Sequence, residues 1–333
     1  MMIDIHNHAI PQRVLDLVQR DPVYQVKIKD GKWYSGNIAP FKLDAAWYDP
    51  EAKLREMDGR LLDGAIISAA PKPLYFYELD LAPQQLIARE TNLGLRDYVK
   101  GHEDRLGWMA HVPLAFPEQA CQMLREAVDM GATGVEIGTS ANGHRLDEDM
   151  FEPFWSLCEE LDQTVFLHPA YERMVPEYQP WRLEVIVGLP VEVTVTLERM
   201  IYSGMLDRHP KLRIVAGLGG GFFPFNAGRL RSYASRDPAF ANSPKRDPWS
   251  YVGQIKFDSF VDDVGQLGFL LKQAGSANVC IGTDCSFASG APRPVQDLRA
   301  AADNNEAIIN EVGENPRKLF RFVGCGCARP FHA

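Results

Sequence analysis

Apolar residues in this chain gather into eight short runs separated by longer stretches of helical period. The runs are residues 2–8, 64–70, 106–112, 134–138, 164–168, 213–217, 255–260 and 279–284. Several are nearly unbroken in apolar side chains, as strands covered on both faces should be. Between them, residues 52–62, 84–99, 117–130, 151–161, 191–203 and 264–273 repeat apolar positions every three or four residues, the signature of helices with one buried face. This alternation predicts an α/β protein whose eight parallel strands close into a (β/α)8 TIM barrel. A doubly wound open sheet is the alternative, and no dinucleotide-binding fingerprint supports it.

Two segments fall outside the alternation. In residues 22–36, Asp30-Gly31 separates two short β-rich pieces, which predicts a hairpin with a tight turn. Because it follows the first strand, it should overhang the C-terminal mouth of the barrel. Residues 233–248, rich in Pro, Ser, Asn and Arg, read as a long loop after strand 6. No linker or internal repeat divides the chain, so residues 1–323 are expected to form one domain, followed by a short tail over 324–333.

The polar residues at the strand ends carry the chemistry. His6 and His8 stand two apart in the first run, and side chains at i and i+2 of a strand leave the same face. The fifth run ends in His168, stopped by Pro169, and the eighth ends in Asp284. Active sites of such barrels lie at the C-terminal ends of the strands. Three imidazoles and a carboxylate converging there make a ligand set for Zn²⁺ or a similar divalent cation.

Composition narrows the surroundings. With 46% hydrophobic and 24% charged residues the chain is ordinary for a globular protein. A formal charge of −9 argues against nucleic acid or an anionic membrane as partner. No apolar run reaches membrane-span length, and the N-terminus enters a strand without a signal-like segment. Six cysteines in 333 residues make no disulfide framework, so a reducing cytoplasm is the expected location. Cys325-Gly326-Cys327 could ligate a metal, but its place in the tail favours a frayed terminus.

Taken in order, several motifs resemble the amidohydrolase superfamily, in the branch typified by 2-amino-3-carboxymuconate-6-semialdehyde decarboxylase. They include Ile3-Asp4-Ile5-His6-Asn7-His8, Trp47-Tyr48-Asp49-Pro50, Arg55-Glu56-Met57-Asp58, His168-Pro169, Gly188-Leu189-Pro190, Gly219-Gly220-Gly221 and Gly282-Thr283-Asp284. The resemblance implies that His6, His8, His168 and Asp284 hold one catalytic zinc, with manganese as the alternative. It implies that Asp258 stands behind the ligands, and that Arg229 binds a substrate carboxylate in a neighbouring subunit's site. A homodimer and a small anionic substrate follow. The implied reaction is non-oxidative decarboxylation of an unsaturated or aromatic acid.

The chain departs from that pattern at two places. Leu218 occupies the slot where the branch carries an acid/base histidine before three glycines, and Ser35 stands where the hairpin usually brings a second arginine. Leu218 can therefore face the substrate but transfer no proton. Asp284 and His111, at the end of strand 3, are the expected acid/base residues, with His144 a further histidine near strand 4. Trp33, Tyr34, Trp181 and Phe287 are expected to wall the mouth. Glu136 faces the centre or is tied to a polar neighbour, and Cys285 is expected to pack. The glycines of 217–221 read as a close-packed corner, since they lack phosphate-binding spacing. A hydrolase or hydratase using the same metal, and a silent metal-binding homologue, remain the alternative functions.

Overall fold

The computed structural model describes residues 1–36, 39–171, 175–178, 181–240, 244–322 and 324. The tail with Cys325 and Cys327 lies outside the described residues. Eight parallel strands form the centre: β1 (Ile3–Ala9), β2 (Gly64–Ala69), β3 (Leu106–Trp108), β4 (Gly134–Gly138), β5 (Thr164–His168), β6 (Arg213–Ala216), β7 (Ile255–Asp258) and β8 (Val279–Cys280). Ladders join β1 to β2 to β3, and β4 through β8 in succession. Backbone hydrogen bonds close the two seams. The Ala110 amide donates to Gly134 (2.8 Å) between β3 and β4, and the Ile5 amide donates to Ile281 (3.0 Å) between β1 and β8. The result is the predicted TIM barrel.

Its interior is a packed core, not a pore. Ile3, Ile5, Ile66, Met109, Phe166, Val215 and Cys280 fill it, with Phe320 and Phe322 plugging the N-terminal end. A larger apolar layer lies between the strands and the surrounding helices. Six helices fall on the predicted periodic stretches. The structure adds helices Gln12–Arg20, Phe223–Ala234, Pro294–Ala301 and Glu306–Leu319. Tyr233 thus ends a helix and does not begin a loop.

The hairpin pairs Val26–Lys29 with Lys32–Ser35 and continues into the short strand Phe41–Lys42. Asp30 and Gly31 both adopt positive φ (51° and 68°), as a two-residue turn matched to strand twist requires. Trp33 is the inward residue of the middle strand. It is fully buried in a satellite core with Val14, Tyr24, Trp47 and Phe76. The hairpin therefore packs beside helix Gln12–Arg20, and the Phe41 ring that follows it lies 5.5 Å from that of Phe287 near the mouth. Among the described residues, no helix is long and apolar enough to cross a membrane.

Candidate metal centre

Strand β1 delivers His6 and His8 at its C-terminal end, both fully buried, with ring centroids 5.0 Å apart. The His168 ring, at the last position of β5, lies 4.9 Å from His6 and 5.3 Å from His8. Asp284 follows β8 in a left-handed conformation (φ 58°) and sets Oδ1 3.3 Å from the Nε2 atoms of both His6 and His8. One donor atom from each of these four residues lies within 4.8 Å of the other three.

The outer partners decide which nitrogen faces inward. His168 Nδ1 lies 2.9 Å from the Pro169 carbonyl, which can only accept, so Nδ1 carries the proton. His6 Nδ1 donates to Asp258 Oδ2 at 2.5 Å, and His8 Nδ1 to Ser68 Oγ at 3.0 Å. The Ser68 hydroxyl donates in turn to Glu136 Oε1 at 3.1 Å. With every Nδ1 committed outward, the Nε2 atoms face one another. Those of His6 and His8, and Asp284 Oδ1, are buried with no hydrogen-bond partner. Buried polar atoms left unpaired cost about 1–3 kcal/mol each, and a divalent cation satisfies all of them at once. The residues fit such an ion, in the arrangement of metal-bound histidines oriented from behind.

Electrostatics agree with that fit. Burial lowers the basicity of His6, but the hydrogen bond to Asp258 and the negative charge of nearby Asp284 outweigh it and raise its pKa to about 10. Burial, reinforced by the charge on His6, drops His8 to about 4 and holds His168 well below the ordinary histidine value. Burial alone would raise Asp284, yet its contacts with His6 and His8 keep it below the ordinary carboxylate range.

Asp258 does more than orient His6. The same carboxylate accepts the backbone amides of Leu218 (3.2 Å) and Gly219 (2.6 Å), fastening the corner after β6 to the back of the ligand. Leu218, Gly219, Gly220 and Gly221 all have positive φ. A Cβ on Gly220 would meet the Phe257 ring at 2.6 Å, so the glycines serve close packing. Leu218 is half-buried at φ 55°, a conformation costing an ordinary L-residue about 1–2 kcal/mol. Beyond β5, the buried Glu192 carboxylate accepts the amides of Ala170 and Tyr171 and the hydroxyl of Thr139, fixing the backbone that follows His168.

The other expected site residues scatter. Phe287 does border the centre, 5.7 Å ring to ring from His8. Trp33 does not, being sealed in the hairpin core with its indole N–H bonded to Ser35; Tyr34, next along that strand, is half-buried. Trp181 is 77% exposed among the described residues. Arg229 lies on the exposed face of Phe223–Ala234, its guanidinium 4.7 Å above the Tyr233 ring. His144 is on the surface, paired with Glu148.

His111 is also displaced from its expected role. It is buried, Nε2 bonds the Leu74 carbonyl at 2.9 Å, and its backbone is clamped on both sides by Asn92. Burial lowers it to about 4, and its free Nδ1 meets no metal ligand. Glu136 is buried and tied to Ser68, with burial raising its pKa well above the ordinary value. Cys285 is buried and packs. Ser68 and Lys53 escaped sequence reading. Each is a lone polar side chain on an otherwise apolar face, and that mismatch is the signal that could have found them.

A closed (β/α)8 barrel with three histidines and an aspartate at its C-terminal rim defines a metal-binding barrel. The amidohydrolase family model matches residues 3–322, and the chain belongs to that family. It is 28% identical to 2-amino-3-carboxymuconate-6-semialdehyde decarboxylase of Dictyostelium discoideum, over 95% of this chain and 90% of that protein. It is 31% identical to gamma-resorcylate decarboxylase of Rhizobium radiobacter, over 72% of this chain and 77% of that one. Among solved structures it resembles 5-carboxyvanillate decarboxylase of Novosphingobium aromaticivorans DSM 12444, complexed with manganese and 4-hydroxy-3-methoxy-5-nitrobenzoic acid. That match has a TM-score of 0.78 at 22% identity and covers 96% of each chain.

Proposed function

We propose that this chain is a metal-dependent, non-oxidative decarboxylase of an aromatic or unsaturated carboxylic acid. The observation that carries the reading is the inward set of Nε2 atoms and Asp284 Oδ1, left without partners and held in place from behind. The names of its relatives favour decarboxylation over the other uses of such a site, and the manganese in the carboxyvanillate enzyme supports manganese beside zinc as the ion. A bound cation would supply charge to hold the substrate's carboxylate and an adjacent oxygen, and to stabilise the electron pair left on carbon.

The chain's own residues do the rest. Asp284 has the more exposed side chain, 14% against 0% for the side chains of His6 and His8, while His168 is 5% exposed. The second oxygen of Asp284, outside the donor set, can accept a proton from water in the mouth and pass it to the carbon from which CO₂ departs. Phe287 gives a planar acid an apolar edge beside His8, and the ring of Phe260 lies 5.6 Å from that of His6. Arg229 stands on the exposed face of its helix, stacked on Tyr233. We assign it to a second copy. Phe225, one turn earlier, is 80% exposed beside Phe269, an apolar patch that a homodimer would cover while carrying Arg229 to its partner.

Leu218 favours a second reading, a metal-binding homologue that turns over nothing. Two measurements on the same metal-loaded sample separate the possibilities. Release of CO₂ from 2,6-dihydroxybenzoate or 5-carboxyvanillate supports decarboxylation. Acid release from lactones or cyclic amides without CO₂ marks a hydrolase, and about one equivalent of bound metal with neither activity marks the silent homologue.

A further inference from the structure

Lys53 is a buried cation that the proposed reaction leaves unused. It lies on helix Pro50–Gly59 one turn from Met57, on the face turned to the barrel, and is fully buried. Its ammonium is placed at the seam where the first strand meets the last. It donates to Asn7 Oδ1 (2.7 Å), the His8 carbonyl (3.0 Å) and Ser286 Oγ (2.7 Å), with Glu56 Oε2 at 3.2 Å. Asn7 stands between two of the metal-facing histidines, and Ser286 follows Asp284 by two residues.

The network reaches the other flank of Asp284 as well. Asn7 donates to Asp4, and Asp4 accepts the Thr283 hydroxyl at 2.6 Å and the His6 amide at 3.0 Å. Asp284 is thus bracketed by Thr283 and Ser286, both linked to the same ammonium through short polar contacts. These contacts matter because few backbone bonds close this seam. Above Ile5 they are the amides of Thr283 and Asp284 to the His6 carbonyl and that of His8 to Cys285.

We propose that Lys53 is a positioning residue, which locks the His6–His8 strand to the Asp284 turn and so presets the distance across the metal centre. An apolar side chain of similar length would fill the same space without the cost of a buried charge. The charge does not favour a cation either, since an ammonium beside the site repels one. What the ammonium adds is three directed N–H groups aimed at both ligand-bearing segments.

The proposal rests on reading the four side chains as metal ligands, and its test separates the two. The dissociation constant for Mn²⁺ and Zn²⁺ is measured by chelator competition on the full-length metal-free protein, together with the thermal midpoint with and without metal. Lys53→Met should weaken metal binding about 10- to 100-fold, the usual effect of losing a group that orients ligands, and Lys53→Arg should recover part of the loss. Ser286→Ala keeps the charge and removes one contact, so it guards against a Lys53→Met protein that fails to fold. It should weaken binding in the same direction, and by less than additively when combined with Lys53→Met or Lys53→Arg. An unchanged constant in Lys53→Met or Ser286→Ala, with equal falls in both thermal midpoints, overturns the proposal in favour of a role in folding. Tighter binding by Lys53→Met overturns it in favour of simple repulsion. A wild-type protein that binds neither ion defeats the metal reading itself.

Discussion

Two parts of the barrel mouth share one carboxylate yet differ in how they treat function. On the side built by β1, β5 and β8, each imidazole is oriented by a partner behind it, and the open lone pairs meet where a cation would sit. At the corner after β6, Asp258 grips the backbone with equal care, but the side chain presented there is the aliphatic Leu218. The backbone of that corner is held by glycines and hydrogen bonds that do not depend on which side chain stands at 218. Binding the ion and moving the proton are therefore separable layers of one site. The second can change while the first stays whole.

The sharpest way to break the comparison is to damage the ligand side. His168→Ala removes one inward nitrogen from the set. Losing the charge stabilisation of a bound metal, several kcal/mol, should cut CO₂ release by about 10³-fold or more, with metal content falling in parallel. Retained activity without bound metal would erase the distinction between the two regions. The opposite manipulation restores chemistry to the corner. Leu218→His should raise decarboxylation of 2,6-dihydroxybenzoate by about 10²-fold or more, the usual contribution of a proton-transfer group, with metal affinity unchanged. Histidine also tolerates positive φ better than leucine, so the variant should fold at least as well. No gain, in a protein already active on another acid, would mark Leu218 as a specialised wall.

Asp258→Asn probes the group that the two regions share. An amide still fits, but it no longer draws the proton to His6 Nδ1 or accepts the Leu218 and Gly219 amides as strongly. Metal affinity should fall about 10- to 100-fold, and the corner carrying Leu218 should exchange its amide protons faster. A fall in affinity without faster exchange would show that the corner is held by its glycines alone.

How much of this can be read from sequence follows the same division. The eight strands are legible because parallel strands buried on both faces are written as apolar runs, and the ligands because His and Asp at strand ends are conspicuous against them. Helix Phe223–Ala234 is not, since it leaves Phe225 and Tyr233 in solvent and so lacks a clean stripe. Lys53 and Ser68 are hidden for another reason. Apart from Glu56 on its own helix, the partners of Lys53 lie 45 residues away or more and those of Ser68 60 or more, and only the closed barrel brings them together. The aromatic residues mislead because a loop tryptophan can be a local core, as Trp33 is, or a solvent-facing ring, as Trp181 is.

The smallest effect concerns His111, which sequence reasoning places at the mouth as a proton carrier and the structure ties to Leu74 and Asn92. Folding lowers it from 6.5 to about 4 because burial penalises the charged ring. Between those values the unfolded chain takes up a proton that the folded chain refuses. Stability therefore falls as pH drops from 6.5 to 4 and is untouched above 6.5, a loss bounded at about 3 kcal/mol for one fully buried group. His8 and His168 are depressed in the same direction, so the contribution of His111 is the difference between wild type and His111→Gln. Glutamine keeps a donor for the Leu74 carbonyl and cannot titrate. The variant's thermal midpoint should fall less steeply between pH 7 and pH 4.5 than that of wild type. Its kcat should change by less than about tenfold, against the 10²–10⁴ expected for loss of a true proton-transfer residue. A collapse of kcat with an unaltered pH–stability slope would return His111 to the reaction and make the β3 side of the mouth, not Asp284, the source of the proton.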